Sequence, residues 1–258
     1  RTIHKTENEG LHLARKTGVA LMCGEYAFLV DGDDELQEDT FRMVADKFKT
    51  TSADIVHIGM TCVAENGVSE VERKANEDFV NRPTPQSTGE NVLLDIYDEK
   101  RGQLVDWRVT QRAYRASILQ AAFSNMSSNR LNRAEDGYEC FVIAAMANTS
   151  VPLEECRGYI YHYGAGITGA SSIDIERFDL SCRQFASCLS ATLEYVQAHQ
   201  NEAALVSSYS GMRNKMLELL SNEIRNRVNQ ADWKEAAFRF AHVFNYSAAS
   251  REIWRFVR

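Results

Sequence analysis

The chain has 258 residues, of which 44% are hydrophobic and 25% are charged, and its formal net charge is -7. This length suits one large domain, or one domain with a helical addition. The acidic charge and the lack of a Lys/Arg block argue against nucleic acid as a partner, and no apolar stretch reaches the roughly 18 residues that a membrane-spanning helix needs.

The six cysteines are scattered along the chain and form no C-x-x-C pair. None of them has a histidine at the spacing of a zinc finger. This pattern is typical of reduced, mostly buried thiols, so we expect a cytoplasmic protein.

Predicted helices and strands alternate at the start of the chain. Apolar residues at helical spacing predict a helix over residues 10–24, and the apolar run EYAFLV after it predicts a buried parallel strand. The stretch DTFRMVADKF predicts an amphipathic helix over residues 39–48, and ADIVHIGMTCV predicts another strand. The alternation favours an α/β fold.

The middle of the chain gives weaker signals. Residues 64–86 are polar and contain Pro83 and Pro85, so we expect a turn and irregular structure there. Ser87 with Glu90 predicts a capping box in front of a helix over NVLLDIY. RVTQRAYRASILQAAF predicts a strand followed by a helix, and RAEDGYECFVIAAMAN predicts an apolar helix headed by acidic residues.

The last third of the chain is predicted to be helical. From residue 173 onward there is no proline and only one glycine, Gly211, and apolar residues recur at helical spacing. Lys and Arg alternate with aromatic residues near the end. This composition fits either a segment that packs onto the remainder of the protein or one that binds to a membrane surface. These aromatic residues are Trp233, Phe238, Phe240, Phe244, Trp254 and Phe256.

An acidic turn follows the first predicted strand. Asp31, Asp33 and Asp34 surround Gly32, and their charges repel one another. A divalent cation such as Mg²⁺ would reverse that repulsion, and the carboxyl end of a parallel strand is a common ligand site. The alternative is a solvated corner, because Asp-Gly is ordinary turn chemistry.

The residues around this turn resemble, in order and spacing, the inverting glycosyltransferases of family 2. The family pattern reads N-x-G-x-x-x-A-R-N-x-G, then A-x-G-E-Y, then F-x-D-x-D-D. Lys16 departs from it, since the family usually has Asn there, and so does Cys23. The matching residues are Asn8, Gly10, Ala14, Arg15, Gly18, Gly24, Glu25, Tyr26, Phe28, Asp31, Asp33 and Asp34.

The resemblance continues downstream to about residue 170. RAEDGYECF resembles the Glu-Asp motif of the family, and DWRVTQRAYRASIL is similar to its W-x-K-L-Y-R-R-x-x-L stretch. GYIYHYGAGITGAS looks like the Y-x-Y-R segment and the small residues after it, with His162 where Arg is common.

The resemblance implies a GT-A fold, which is a Rossmann-like mixed sheet flanked by helices. We expect this domain over residues 1–170 and a helical C-terminal appendage over residues 171–258. Two opening motifs of the family, V-S-V-I-I-P-x-Y-N and V-D-D-G-S, do not occur in the sequence. We therefore expect the domain to be N-terminally incomplete, with an exposed sheet edge that self-association or a partner would cover.

Roles for individual residues follow from the same resemblance. It implies that Asp31 and Asp33 bind Mg²⁺ or Mn²⁺ together with the donor diphosphate, and that Asp136 is the catalytic base. Glu135 is expected to orient the acceptor or to cap its helix. On local grounds alone, acidic residues at a helix N-terminus are more often structural.

The remaining expectations concern the two substrates. The resemblance implies that Asn8, Gly10, Arg15 and Asp31 bind the nucleotide-sugar and that Trp107 stacks on the acceptor. A solvated or ion-paired Arg15 and a core Trp107 are the structural alternatives.

The sequence as a whole predicts an enzyme. It is expected to move a sugar from a nucleotide-sugar, with a UDP-sugar preferred, to a glycan or lipid-linked acceptor in polysaccharide biosynthesis. The alternative is a non-catalytic remnant of the fold that acts as a binding module. A peripheral position at the inner membrane face and a homo-oligomer are left open.

Overall fold

The computed structural model describes residues 2–101, 105–165, 172–200 and 202–244. Within these ranges the chain forms nine α-helices and eight strands. The helices are α1 (Leu11–Leu21), α2 (Thr40–Thr50), α3 (Glu70–Val80), α4 (Asn91–Tyr97), α5 (Ala116–Asn125), α6 (Glu135–Met146), α7 (Ile175–Ala198), α8 (Ala203–Arg227) and α9 (Trp233–Phe244). The strands are β1 (Tyr26–Phe28), β2 (Glu35–Leu36), β3 (Ile55–Ile58), β4 (Met60–Ala64), β5 (Ser87–Thr88), β6 (Arg112–Arg115), β7 (Thr149–Leu153) and β8 (Tyr159–Tyr163).

The strands form two mixed sheets. The larger has the order β1-β6-β3-β7-β5, in which only the β3–β7 pair is parallel, and the smaller has the order β2-β8-β4, in which β4 and β8 are parallel. Helices flank both sheets, and three more helices follow them in the chain. The predicted α/β class, with a mixed sheet and C-terminal helices, is confirmed.

Strand β1 corrects one local prediction. The EYAFLV run predicts a buried parallel strand, but β1 is partly buried and lies at the end of the larger sheet. It pairs antiparallel with β6, with Tyr26 opposite Arg115. A continuous apolar run cannot reveal strand direction, because the same run suits any strand with apolar neighbours on both faces.

The chain passes from the larger sheet to the smaller one at three places. These are the links from β1 to β2, from β3 to β4 and from β7 to β8. Gly59 makes the second crossing, so the single strand predicted over ADIVHIGMTCV is two strands in two sheets. The side chain of Asn81 fixes the crossing, since it accepts from the Met60 amide at 2.9 Å and donates to the Met60 carbonyl at 2.8 Å.

The prediction of irregular structure over residues 64–86 is wrong, because this segment contains α3. Ser69 and Glu72 form the capping box at its start. Ion pairs of Arg73 with Glu70 and Glu77 stabilise its exposed face. Only Val80 of this helix is buried, so it contributes few core residues that could mark it in the sequence.

The capping box predicted at Ser87 and Glu90 is also wrong, although helix α4 follows as expected. Ser87 lies in β5 and its hydroxyl donates to Asp95 instead. Glu90 precedes α4 and makes no side-chain cap bond. The Ser-x-x-Glu spacing occurred without the backbone turn that a capping box needs.

The C-terminal helices share one apolar core with the larger sheet. The cluster includes Tyr97 and Phe141 from α4 and α6 together with Phe178, Met212 and Phe240 from α7, α8 and α9. Trp233 and Phe244 pack against this cluster, whereas the Phe238 side chain is 68% exposed. Trp254 and Phe256 lie outside the described residues.

Helix α8 contacts α4 most closely at Gly211. A Cβ atom added there would lie 2.9 Å from the carbonyl carbon of Tyr97 and closer still to the carbonyl oxygen. The single glycine of the helical region is therefore the point where two backbones meet. No helix in the described parts of the chain has the length and apolarity needed to span a bilayer.

Candidate functional site

The acidic turn lies at the first crossing between the two sheets. The chain leaves β1, and the amide of Asp34 donates to the carbonyl of Asp31 at 3.1 Å, which closes a tight turn over Gly32 and Asp33. Asp33 is exposed at the corner, whereas Asp31 and Asp34 are partly buried. The turn is thus a built feature between two strands and presents one carboxylate fully to solvent.

Both carboxylate oxygens of Asp34 hold the turn onto β8. The Tyr159 hydroxyl donates to Asp34 at 2.7 Å, and the His162 amide donates to it at 2.9 Å. The Tyr159 hydroxyl also accepts from the Asp31 amide at 3.3 Å. Asp34 is therefore engaged structurally, while Asp33 is exposed and Asp31 is partly buried.

Arg15 joins the acidic turn to the head of α6. Its Nη2 donates to Asp31 at 2.8 Å, and its Nη1 donates to Asp136 and, at 2.8 Å, to Glu139. Only 7% of the Arg15 side chain is exposed. Burial by itself would lower the pKa of Arg15, but the charges of Asp136, Glu139 and Asp31 outweigh it and raise that pKa above its ordinary value. Arg15 is therefore ion-paired and not solvated, which agrees with one form of the structural alternative.

The surroundings of Asp31 combine burial, one arginine and two neighbouring carboxylates. Burial raises its pKa, the Arg15 guanidinium opposes this, and the neighbouring carboxylates of Asp136 and Asp34 raise it further. The net direction is upward although an arginine is directly bound. A cation near Asp31 would therefore favour its ionised form.

Helix α6 presents two adjacent carboxyl groups of different character. The Asp136 side chain is 27% exposed and bonded to Arg15. Glu135 is buried, and its Oε2 has no hydrogen-bond partner among the described residues. Burial, followed by the charge of Asp136, raises the pKa of Glu135 to about 8. At neutral pH Glu135 is therefore mainly a neutral acid.

The chain enters α6 through an unusual backbone conformation. Ala134, the residue before Glu135, has φ of 62° and ψ of 11°, in the left-handed region. Such a conformation costs a non-glycine residue about 1–2 kcal/mol. The strain lies directly beside the two carboxyl groups.

Glu139, which binds Arg15, also pairs with the buried His12, and the sequence predictions missed both residues. His12 Nδ1 lies 2.8 Å from Glu139 Oε1, and His12 Nε2 lies 3.0 Å from the carbonyl oxygen of Ser127. Neither side chain of the His12–Glu139 pair is exposed. The signal was present as two matched spacings, because residues 12 and 15 share one helix face and residues 136 and 139 share another.

Asn8 and Gly10 shape the start of α1. The Asn8 side chain accepts from the Gly10 amide at 3.0 Å, and Gly10 has φ of 87°. A Cβ at Gly10 would lie 3.2 Å from Cγ of Asn132 and would overlap its amide oxygen. The exposed Asn8 is not among the side chains that meet at Arg15.

Trp107 lies near the site but also contributes to the core. It is partly buried, and its ring centroid is 5.9 Å from that of Tyr97. A Cβ at Gly137 would lie 3.6 Å from the indole, so Trp107 lies beside the residue that follows Asp136. Its expected role at the acceptor stays a prediction.

The turn fits a metal ion that is shared with a ligand. Among the described residues, no three His, Cys, Asp or Glu side chains converge on one metal-binding point. Mg²⁺ is commonly held by one or two carboxylates, with phosphates and water in the remaining positions. Asp31 and the exposed Asp33 are two carboxylates of one tight turn, and they suit that arrangement.

The described residues thus form an α/β fold with a carboxylate-bearing turn and an acidic helix head. Residues 1–122 match the family model described as "Glycosyl transferase family 2". The resemblance to family 2 predicted from the motifs is thereby confirmed. A comparison with curated protein sequences gave no match.

Solved structures with a similar fold come from S. aureus TarS. The chain is 16% identical to TarS 1-349 in complex with UDP-GlcNAc, with a TM-score of 0.54 over 96% of this chain and 65% of that one. It is 19% identical to TarS 1-349 in complex with UDP, with a TM-score of 0.52 over 95% of this chain and 64% of that one. The chain thus spans slightly less than two thirds of these solved chains, and at this identity the likeness is one of fold.

Proposed function

We propose that this chain carries the catalytic site of a glycosyltransferase that moves a sugar from a UDP-sugar to an acceptor hydroxyl with inversion. The observation that carries the proposal is the Arg15 guanidinium, which binds Asp31 of the acidic turn and Asp136 of α6 at once. The family match over residues 1–122 supports the reaction class. The similar fold of chains solved with UDP-GlcNAc and with UDP supports the donor class.

The reaction needs one base and one stabilised leaving group. The acceptor oxygen attacks the anomeric carbon, the bond from that carbon to the diphosphate oxygen breaks, and the nucleoside diphosphate leaves with the electron pair. Asp136 takes the proton from the acceptor hydroxyl. It suits this role because it is partly exposed and held in place by Arg15.

Asp31 and Asp33 are the proposed ligands for Mg²⁺ or Mn²⁺. When bound, the cation would neutralise the charge that develops on the leaving diphosphate. Arg15 keeps Asp31 oriented at the edge of the site, and Tyr159 fixes the backbone of the turn through the Asp31 amide. The chain's own contribution is thus a preorganised turn that needs little rearrangement on binding.

Glu135 is proposed as a neutral hydrogen-bond donor rather than a second base. Its pKa of about 8 keeps it mainly protonated at neutral pH, and a protonated carboxyl group carries one O–H donor. Asn8 and Gly10 are proposed to approach the nucleotide from the start of α1, and Trp107 to face the acceptor.

Calorimetric titration of UDP with and without Mn²⁺ tests donor binding. We expect Mn²⁺-dependent binding that Asp33→Asn weakens more than about tenfold, since a lost contact to the bound cation is worth more than about 1.4 kcal/mol. Asp46→Asn is the matched control, because Asp46 forms an exposed pair with Lys49 on α2. The proposed metal site is contradicted if the wild type binds UDP equally well with and without Mn²⁺. It is also contradicted if Asp33→Asn binds UDP as tightly as the wild type in the presence of Mn²⁺.

Turnover separates the enzyme from a binding module. With UDP-GlcNAc as the first donor, we expect Asp136→Asn to keep UDP affinity and to lower the rate of UDP release about 10²- to 10⁴-fold. Wild-type protein that binds UDP without turnover would favour the alternative of a non-catalytic module. Four expectations stay predictions: the glycan or lipid-linked acceptor, the role in polysaccharide biosynthesis, the cytoplasmic or membrane-peripheral location, and self-association.

A further inference from the structure

Two helices face each other through a ladder of charged side chains. Helix α1 contributes His12 and Arg15, and α6 contributes Asp136 and Glu139. Each pair is three residues apart, so its members share one face of their helix. Glu139 is the centre of the ladder, because one of its oxygens faces His12 Nδ1 at 2.8 Å and the other accepts from Arg15 Nη1 at 2.8 Å.

Stability alone does not account for this arrangement. The His12 and Glu139 side chains have no exposed surface, and moving an ionised group out of water costs several kcal/mol. A well-packed apolar pair of similar volume is often at least as stable as a buried ion pair. The observation to explain is that this pair contacts Arg15, and that Arg15 contacts Asp136 and Asp31.

The hydrogen bonds of His12 specify the orientation of the ladder. Its two ring nitrogens face two oxygens, one from the Glu139 carboxylate and one from the Ser127 carbonyl. Because each ring nitrogen has its own oxygen partner, the plane of the His12 ring is fixed. His12 thus holds one oxygen of Glu139, and Arg15 holds the other.

We propose that Glu139 and His12 are positioning residues that fix the Arg15 guanidinium, and that Arg15 in turn sets the place of Asp136 relative to the acidic turn. The proposal rests on the function proposed above. Neither residue reaches the open side of the site, since both are fully buried. Their effect passes through Nη1 of Arg15, which is shared by Glu139 and Asp136.

Kinetics of Glu139→Gln test this coupling. The change keeps the shape of the side chain and removes its charge, so we expect kcat to fall about tenfold to a hundredfold, as for a small misplacement of a catalytic group. We expect the donor KM to change less than about threefold. Glu77→Gln is the matched control. Glu77 lies on α3 and accepts hydrogen bonds from Arg73 and from the Cys62 amide, both at 2.8 Å. We expect this variant to have the kcat of the wild type.

A double-mutant cycle gives a readout that general destabilisation would not produce. If Glu139 acts through Arg15, Glu139→Gln combined with Arg15→Lys should be no slower than Arg15→Lys alone. Residues that act independently give multiplicative rate losses. Multiplicative losses, or an unchanged kcat in Glu139→Gln, would overturn the proposal.

His12 offers a second pair of variants if Glu139→Gln folds poorly. His12→Asn keeps a donor near the position of Nδ1, toward Glu139, and His12→Gln keeps one near the position of Nε2, toward Ser127. We expect His12→Asn to retain more than about half of kcat and His12→Gln to lose about tenfold or more. The reverse order would contradict a role through Glu139.

Crystal structures of the wild type and Glu139→Gln separate this proposal from the proposed function. We expect the Arg15 contact with Asp136 to break or lengthen in the variant, whether or not the protein turns over a sugar donor. An Arg15 that keeps its bond to Asp136 in Glu139→Gln refutes the positioning role. Absence of UDP binding and turnover in the wild type would refute the proposed function. The Arg15–Asp136 contact in the two crystal structures would still test whether Glu139 positions Arg15.

Discussion

Replacing Gly211 with alanine is expected to destabilise the protein, although the same change normally stabilises a helix. Glycine in a helix interior costs about 1 kcal/mol relative to alanine. At Gly211, however, the new methyl group would lie 2.9 Å from the carbonyl carbon of Tyr97 and closer still to the oxygen. Carbon atoms prefer separations of about 3.5–4.0 Å, so α8 and α4 would have to separate by about 1 Å to relieve the carbon contact and by more to relieve the oxygen contact.

The magnitude follows from these two opposing effects. Overpacking of this kind typically costs about 1–3 kcal/mol, and here the obstacle is backbone that no rotamer change can move aside. The shift also pulls on Tyr97, whose hydroxyl donates to the Gly137 carbonyl at 2.6 Å. After the gain in helix propensity we expect a net loss of about 2 kcal/mol, which lowers the melting temperature by about 4–8 °C at this chain length.

Thermal melting of Gly211→Ala beside Gly18→Ala measures the effect. Gly18 lies on α1, and a Cβ there meets nothing within 4 Å, so its replacement should raise the free energy of unfolding by about 0.5–1 kcal/mol. The two substitutions are chemically identical and differ only in their surroundings. A Gly211→Ala protein that melts at or above the temperature of Gly18→Ala would refute the close contact between α8 and α4.

Three further predictions concern the site and its surroundings. Ala134→Gly should raise the free energy of unfolding by about 1 kcal/mol in urea denaturation, because glycine adopts φ of 62° without strain; a loss of stability would contradict the left-handed conformation. Glu135 has a folded-state pKa of about 8, above its ordinary value, so its contribution to the free energy of unfolding is present at low pH and is lost as pH rises through about 8. Glu135→Gln should therefore remove a stability loss of about 2 kcal/mol between about pH 6 and 9. A variant with the same dependence of stability on pH as the wild type would contradict the raised pKa. Hydrogen bonds to Glu65 and then Glu35 raise the pKa of His162, so its stabilising contribution is present below its ordinary pKa and is lost as pH rises through the raised value. His162→Gln should therefore reduce the change of melting temperature with pH between about pH 6 and 8. An equally large change in the variant would contradict these two contacts.

The elements with strong local signals were predictable from the sequence. Helices α1 and α2 have an apolar face at helical spacing, and the acidic head of α6 stands before a long apolar run. Such patterns reflect burial of one helix face, which depends on nearby residues in the chain. The acidic turn was also recognisable, because adjacent like charges repel one another unless a bound cation or another partner offsets the repulsion.

What the sequence concealed depends on contacts between distant segments. The edge position of β1 is set by its pairing with β6, about ninety residues further along the chain. The burial of His12 and Glu139 depends on two helices that are 127 positions apart at this contact. Single-residue spacing cannot reveal which helix faces meet, so Arg15 was predicted as a ligand-binding residue without its carboxylate partners.

The shared apolar core has a consequence for how the protein unfolds. Tyr97 contacts α8 through its backbone and holds the first turn of α6 through its hydroxyl, so the helical region and the carboxyl groups depend on the same side chain. Heat should therefore melt both regions in a single cooperative transition, and a probe placed in either should report the same midpoint.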